Sequence, residues 1–283
     1  MLELLRPDSV EAAVAALGNG SVALAGGTEL VPLLRDGLVR ADTLVELRHA
    51  VPAGVQRHEG GLRIGAGTTL GELEVDPEIP DALREACRLS ASPQLRAVGT
   101  IGGNLLQATR CWYWRLDFPC YLHGGDRCHA KSGQHREHAI LANGLCASAH
   151  PSDPAAALLA LDARLRTDRR ELPLAELYRL PTLDDRGLTT LEPDELILEL
   201  EVPAVEASTY VKAMDRKRWA FALVGVAVAR VGGATRIALA GAAPVPWLLG
   251  SADELDGATP LPGTAYKVEL ARALVRRAVE SLP

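Results

Sequence analysis

Cysteine and aromatic residues are scarce in this chain, with five cysteines and eleven Phe, Trp and Tyr among 283 residues. Several other features are missing. No apolar run reaches the roughly 18 residues of a membrane span. Basic charge is not in excess: 30 Lys and Arg stand against 36 Asp and Glu, mixed along the chain, for a net charge of −6. That balance gives no reason to expect nucleic acid or an anionic membrane as partner. The opening "MLELLRPDSVEAAV" lacks the basic-then-apolar layout of a secretory signal, so a cytoplasmic location is expected. Thiols stay reduced in that compartment, and clustered cysteines there point to metal or catalysis before disulfides. There is no G-x-G-x-x-G, and "GAGTTLG" misses its spacing, so a Rossmann nicotinamide site is not supported. Internal repeats and low-complexity tracts are also absent.

The scarce residues are gathered in one place. The stretch "TRCWYWRLDFPCYLHGGDRCHA", residues 109–130, holds three of the five cysteines and five of the eleven aromatics, and Cys146 follows in "NGLCASAHPSD". Around it the pattern is that of a globular α+β protein. The length fits two or three domains, and 48% hydrophobic residues suffice for a sizeable core. A helix is predicted over residues 8–17, with Asp8 and Glu11 at capping-box spacing and Gly18 as its stop. In "SVALAGGTELVPLLRDG", a short strand runs into a Gly26-Gly27 turn, and Thr28 is placed to cap a helix ending near Gly37. The strands "TLVELR" and "GLRIGAG" follow, then a helix over 83–89, a second glycine turn in "GTIGGNL", and the Cys-rich segment as a long loop. A further helix is predicted over 154–165. A boundary is expected at 167–172, where charge clusters. After it the strands "ELILELEVP", "FALVGVAVARV" and "TRIALAGAAP" and a helix after "TAYKVEL" read as a separate α+β unit.

Two kinds of feature carry chemistry. "LAGGTEL" and "GTIGGNL" each end an apolar stretch in a glycine pair. Glycine admits positive φ and close ligand approach, and exposed N–H groups in such turns attract phosphate. Two such loops suit the two phosphates of a dinucleotide, and ordinary tight turns are the plainer reading. Cys111, Cys120, Cys128 and Cys146 are separated by eight, seven and seventeen residues. Four thiolates suit an iron–sulfur cluster or tetrahedral zinc. The close C-x2–4-C knuckle usual for structural zinc is absent, although five histidines nearby allow a Cys/His site. Free thiols are the third reading. Trp112, Tyr113, Trp114, Phe118 and Tyr121 offer a dry wall for a cluster or simply a packed core. Cys87, on a helix, reads as a small buried hydrophobe.

Taken together and in order, these segments resemble the FAD-binding (medium) subunit of the xanthine dehydrogenase and molybdenum hydroxylase family. The resemblance is nearest to the FAD and [4Fe–4S] subunit of bacterial three-subunit aldehyde oxidoreductases, and next to that of 4-hydroxybenzoyl-CoA reductase. It is carried by "AGGTELVPLL", "QLRAVGTIGGNL", "TRCWYWR", "CHAKSGQHREHAIL", "CASAHPSD", "LPLAELYRLP", "LEPDELILELEVP", "DRKRWAFALVGVAVA", "ALAGAAPVPW" and "AYKVELA". Small departures lie near the cofactor segments: Ala97 after "QLR", Ala108 before "TRC", and "ALAGAA" where "LGGVA" is commoner.

The resemblance implies an α+β fold. An N-terminal α/β lobe (1–58) and a second α+β lobe (59–168, with the Cys-rich insertion at 109–150) clasp FAD, and a C-terminal α+β domain (169–283) closes over it. It implies that Ala25, Gly26, Gly27, Thr28, Glu29 and Leu30, with Thr100, Ile101, Gly102, Gly103 and Asn104, contact the phosphates and ribityl chain. Asp153 matches a cofactor-bonding position, its plainer role being to cap the helix after Pro154, and Lys212 is placed near the flavin. It implies that Cys111, Cys120, Cys128 and Cys146 hold a [4Fe–4S] cluster. The function implied is an electron-transfer subunit working with a molybdopterin-containing large subunit, which oxidises an aldehyde or N-heterocycle, and a [2Fe–2S] small subunit. No catalytic acid or base stands out. The alternatives are a stand-alone flavin and iron–sulfur oxidoreductase with its own small-molecule substrate, and a zinc-stabilised binding protein.

Overall fold

Short apolar stretches alternating with brief helices in the first fifty residues build a small parallel sheet. The elements are β1 (Glu3–Leu5), α1 (Val10–Ala16), β2 (Ser21–Leu24), α2 (Leu30–Arg35) and β3 (Thr43–Glu46), with sheet order β1-β3-β2. This computed structural model describes residues 2–18, 20–215 and 219–282, so Arg216, Lys217 and Arg218 of "DRKRWAFALVGVAVA" lie outside the described residues. α1 is capped by Ser9, whose hydroxyl accepts from the Ala12 N–H at 3.2 Å, and not by Asp8, one residue too early. α2 starts after Glu29 with no side-chain cap, so Thr28 does not cap it.

The second lobe contains β4 (Val55–His58), β5 (Gly61–Gly65), α3 (Leu70–Val75), α4 (Asp81–Arg88), α5 (Pro93–Arg96), α6 (Ile101–Leu105), α7 (Trp112–Arg115), α8 (Asp153–Ala160), β6 (Arg164–Thr167), β7 (Glu171–Pro173) and β8 (Ile197–Val202). Its five strands form an antiparallel sheet in the order β4-β5-β8-β6-β7. The remainder is β9 (Ala207–Asp215), β10 (Trp219–Val231), β11 (Ala234–Ala240), β12 (Trp247–Leu249) and α9 (Tyr266–Glu280), with an antiparallel sheet ordered β12-β11-β10-β9.

This topology can be set beside three expectations. The boundaries drawn after residues 58 and 168 each fall inside a β-hairpin, β4–β5 and β6–β7, whose strands share one sheet that reaches Val202. Charge clusters there because the hairpin turns are solvated. The helix expected over 154–165 stops at Ala160, because Asp162 takes a left-handed backbone (φ 56°) and turns the chain into β6. The C-terminal unit packs directly on the second lobe. All eight residues of α8 are buried, and they pack in one core with Ile64, Leu165 and Leu200 of the five-stranded sheet and Ala227, Ala229 and Ala238 of the four-stranded one. A helix apolar all round belongs between two layers, and its alanines let both approach. A second core lies under α9, where Ala271, Leu274, Val275 and Ala278 meet Val224, Val226 and Leu239.

α9 also carries a fully buried lysine. As an ammonium, Lys267 can donate to all three carbonyls around it, those of Gly241 (2.6 Å), His138 (2.8 Å) and Glu137 (3.2 Å). Burial pushes its amine from 10.5 down to about 7. Between those values the unfolded chain binds the proton and the folded chain does not, so this residue makes stability rise with pH across that window. Urea unfolding of wild type and Lys267→Met from pH 6.5 to 9 should show the gain with pH in wild type and a flatter profile in the variant. Parallel profiles would show that the buried amine does not titrate there.

Candidate functional site

The two glycine loops lie against each other. A Cβ placed on Gly26 would sit 1.9 Å from the Val98 carbonyl oxygen and 3.1 Å from Gly99 Cα, so only glycine permits this contact. Gly99 faces Thr28, whose Oγ1 is 3.5 Å from its ideal Cβ, and Gly103 approaches Ala25. Gly27 takes φ +72°. The loops differ in what they offer. Among the described residues, the N–H groups of Gly26, Gly27, Thr28 and Glu29 have no backbone acceptor. In the second loop those of Ile101, Gly102 and Asn104 bond to Thr68, Ala66 and Thr100 carbonyls, at 2.8, 3.0 and 2.9 Å. Gly103 N–H is taken by the Thr100 hydroxyl at 3.2 Å. Gly102-Gly103 is therefore no free turn but the first part of α6, capped by Thr100. The anion-ready donors belong to the first loop, and the second supplies a rigid wall. Asn104 faces the helix that follows the Cys-rich segment, with its Oδ1 accepting from Ser152 Oγ at 2.5 Å.

Glu29 has a different place from its neighbours. Its Oε1 accepts from Arg115 Nη2 at 2.5 Å and from the Ala108 N–H at 3.1 Å, and its Oε2 lies 2.7 Å from Arg110 Nη1. Arg110 is held over the Phe221 ring at 4.7 Å, and Arg115 Nε reaches the Thr109 carbonyl at 2.9 Å. Glu29 thus fastens the first glycine loop to the start of the Cys-rich segment. Sequence spacing gave no signal of this pairing across some eighty residues.

Asp153 and Lys212, far apart in sequence, meet as a buried pair at 2.7 Å. Asp153 Oδ1 also accepts from Tyr210 Oη at 2.6 Å, and Lys212 donates to the Leu89 carbonyl at 2.9 Å. Buried charge of each sign demands such pairing. Burial and the neighbouring carboxylate push the Tyr210 hydroxyl well above its usual range, so it stays a donor. The cap of α8 is Ser152, accepting from Ala155 N–H at 3.0 Å, and not Asp153. Tyr210 was missed because its strand, β9, was not read and its partner Asp153 lies 57 residues away.

The Cys-rich segment is mostly irregular, as expected, broken by α7 and by short 3-10 turns at Tyr121–His123 and His129–Lys131. Cys111, Cys120, Cys128 and Cys146 line one small cavity together with Tyr113, Trp114, Tyr121 and Leu122. All are free thiols. Burial pushes the Cys111 thiol up to about 12 and the Cys146 thiol to about 11. Among the described residues no three donors converge on a point that a single ion could occupy. The four cysteines share the lining of this cavity. Of the five aromatics, Tyr113, Trp114 and Tyr121 form the wall. Trp112 packs edge-on to His138, and Phe118 is half-exposed against Tyr113 and His129. Cys87 lies in the core, as read. A neighbouring cleft, bordered by Leu105, Gln107, Thr109, His150 and Pro151, shares Trp114 and Leu122 with the cysteine cavity.

Comparison with known proteins fits this geometry. Residues 1–205 match the family described as the FAD binding domain in molybdopterin dehydrogenase. The chain is 36% identical over 252 residues to the aldehyde oxidoreductase FAD-binding subunit PaoB of Escherichia coli (strain K12), covering 83% of this chain and 78% of that protein. It is 30% identical to the carbon monoxide dehydrogenase medium chain of Hydrogenophaga pseudoflava, covering 96% and 84%. A solved structure of carbon monoxide dehydrogenase from that organism superposes with a TM-score of 0.71 at 26% identity, covering 99% of this chain and 96% of that one. Quinoline 2-oxidoreductase from Pseudomonas putida 86 shares the fold, with a TM-score of 0.70 at 19% identity.

The loop contact makes a sharp test. Gly26→Ala forces the first loop off Val98 and should abolish FAD retention on purification. Gly18→Ala, where nothing lies within 4 Å of an added Cβ, changes only a strained turn and should keep FAD. Flavin absorbance per chain reads both, and equal flavin content in the two would show that the loop contact does not shape the site.

Proposed function

This chain belongs to the FAD-binding family of the molybdopterin dehydrogenases, and from that premise we propose that it is the flavin and iron–sulfur subunit of an aldehyde- or N-heterocycle-oxidising molybdenum hydroxylase. Its work is to pass electrons between the partner's molybdenum centre and an external acceptor. The observation that carries the iron–sulfur half is the convergence of Cys111, Cys120, Cys128 and Cys146 on one aromatic-walled cavity. The same insertion supports kinship with the flavoprotein of 4-hydroxybenzoyl-CoA reductase.

FAD, when bound, accepts and returns electrons; the protein holds and insulates it. The free N–H groups of Gly26, Gly27 and Thr28 bind phosphate oxygens, and Thr100, Ile101, Gly102, Gly103 and Asn104 form the facing wall. Ala25 and Leu30 bound the first loop. Asp153 and Lys212 hold each other at the edge of the site, while Glu29 holds the cysteine segment against it. The four thiols supply the ligand set of a [4Fe–4S] cluster, and the shared wall of Trp114 and Leu122 separates it from the cleft beside α6. The partners are a molybdopterin-containing large subunit and a [2Fe–2S] small subunit, a reading supported by the family match and by relatives that are FAD-binding and medium subunits of larger dehydrogenases.

Anaerobically purified protein should carry one FAD and, if the thiols act as argued, about four iron and four sulfide per chain. It should not oxidise aldehydes alone. Cys128→Ser should lose iron while keeping FAD. Zinc in place of iron would instead support a structural metal site, and robust turnover by the isolated chain would support a stand-alone oxidoreductase.

A further inference from the structure

Next to the cysteine cavity lies a histidine to which the flavin and cluster readings give no role. His138 is buried, at 3% exposure. Its Nε2 lies 3.2 Å from Cys111 Sγ. Its Nδ1 is also buried, with no hydrogen-bond partner among the described residues. We propose that His138 donates a hydrogen bond from Nε2–H to the Cys111 sulfur and thereby raises the reduction potential of the cluster held there, an inference that rests on the four-cysteine [4Fe–4S] reading.

The geometry fixes both the proton and the direction. A neutral imidazole carries one N–H. Placed on Nδ1 it would be a buried donor with no acceptor among the described residues, whereas on Nε2 it faces a sulfur. The ring cannot easily turn away. Its edge packs on Trp112, with centroids 5.0 Å apart and planes at 80°. Its own N–H bonds to the His135 carbonyl at 3.0 Å, and its carbonyl accepts from Lys267 at 2.8 Å. The imidazole is therefore held from two sides, by the cysteine segment itself and by α9. A donor on a ligating sulfur draws negative charge from it. The reduced cluster is the more negative state and gains most, so the potential rises. Cys146 has polar neighbours of its own, the Ser148 N–H donating to its sulfur at 3.5 Å and the Ser148 hydroxyl 3.2 Å away, but His138 is the imidazole set against Cys111.

The experiment compares full-chain wild type, His138→Phe and His138→Gln, reconstituted anaerobically. Phe keeps the bulk against Trp112 and removes the donor, whereas Gln restores an N–H donor. Iron, sulfide and FAD are counted, and the cluster's midpoint potential is measured by an EPR-monitored redox titration. The expected result is unchanged iron and FAD in both variants, a lower potential in His138→Phe, and partial return in His138→Gln. An iron-replete His138→Phe with the wild-type potential overturns the proposal alone. Loss of iron from both variants with FAD retained also overturns it, making the histidine a ligand or a support. Wild-type protein without iron overturns the cluster reading, and this proposal with it.

Discussion

The ion pair between Asp153 and Lys212 is the constraint around which the rest of the molecule is arranged. Two opposite charges lie together at 2.7 Å, and their side chains are almost wholly shielded from water. Removing either partner would leave an uncompensated buried charge, a change of about 3–5 kcal/mol in comparable cases. Their positions bring three elements to one point. Asp153 begins α8, Lys212 and Tyr210 come from β9, and Leu89, whose carbonyl Lys212 also holds, closes α4. The pair therefore fixes the start of α8 against β9 and the end of α4. Ser152, one residue earlier, is then close enough to bond Asn104 of the second glycine loop. The site inherits its rigidity from the core through this short path.

The glycine loops and the cysteine cavity are joined by another charge cluster, not by packing. Glu29 is part of the first loop by sequence, yet its carboxylate is taken up by Arg110, Arg115 and the Ala108 N–H. Each arginine stands beside or within the run that supplies Cys111. The first loop is thus tied to the cysteine segment through part-buried contacts of one carboxylate. Charge-assisted bonds of this kind are about twice as strong as neutral ones.

Most elements were legible in the sequence where apolar period and punctuation agreed. The strand in "TLVELR", the helix near 83–89 and the long strand in "FALVGVAVARV" all form. The glycine pairs were legible as close-approach sites, and Gly26 shows why, since its missing Cβ is filled by another backbone. The misses fall where contacts across the fold or weak local patterning decide the outcome. Gly102-Gly103 looked like a turn, but Thr100 and the carbonyls of Ala66 and Thr68 draw it into a helix start. β4 and β9 were not seen, being polar and exposed in one case and short of strong punctuation in the other. Tyr210, His138, Arg110 and Arg115 acquire their roles only through contacts across the fold, and local spacing carries no trace of those.

An irregular stretch of some forty residues needs something to order it, because few of its backbone groups bond within a regular element. In this structure the order comes from three side-chain clamps, each rooted in a different part of the fold. Glu29 of the first lobe holds its start through Arg110 and Arg115. Arg186, in the loop after β7, holds its middle by donating to the Tyr121 and Gly125 carbonyls at 2.9 and 2.6 Å. Lys267 of α9 holds its end at Glu137 and His138. The clamps fall before, between and after the cysteines of the run, with Cys146 tied in by its own turn at Ser148. The clamps order the run that lines the cysteine cavity and root it in all three parts of the chain.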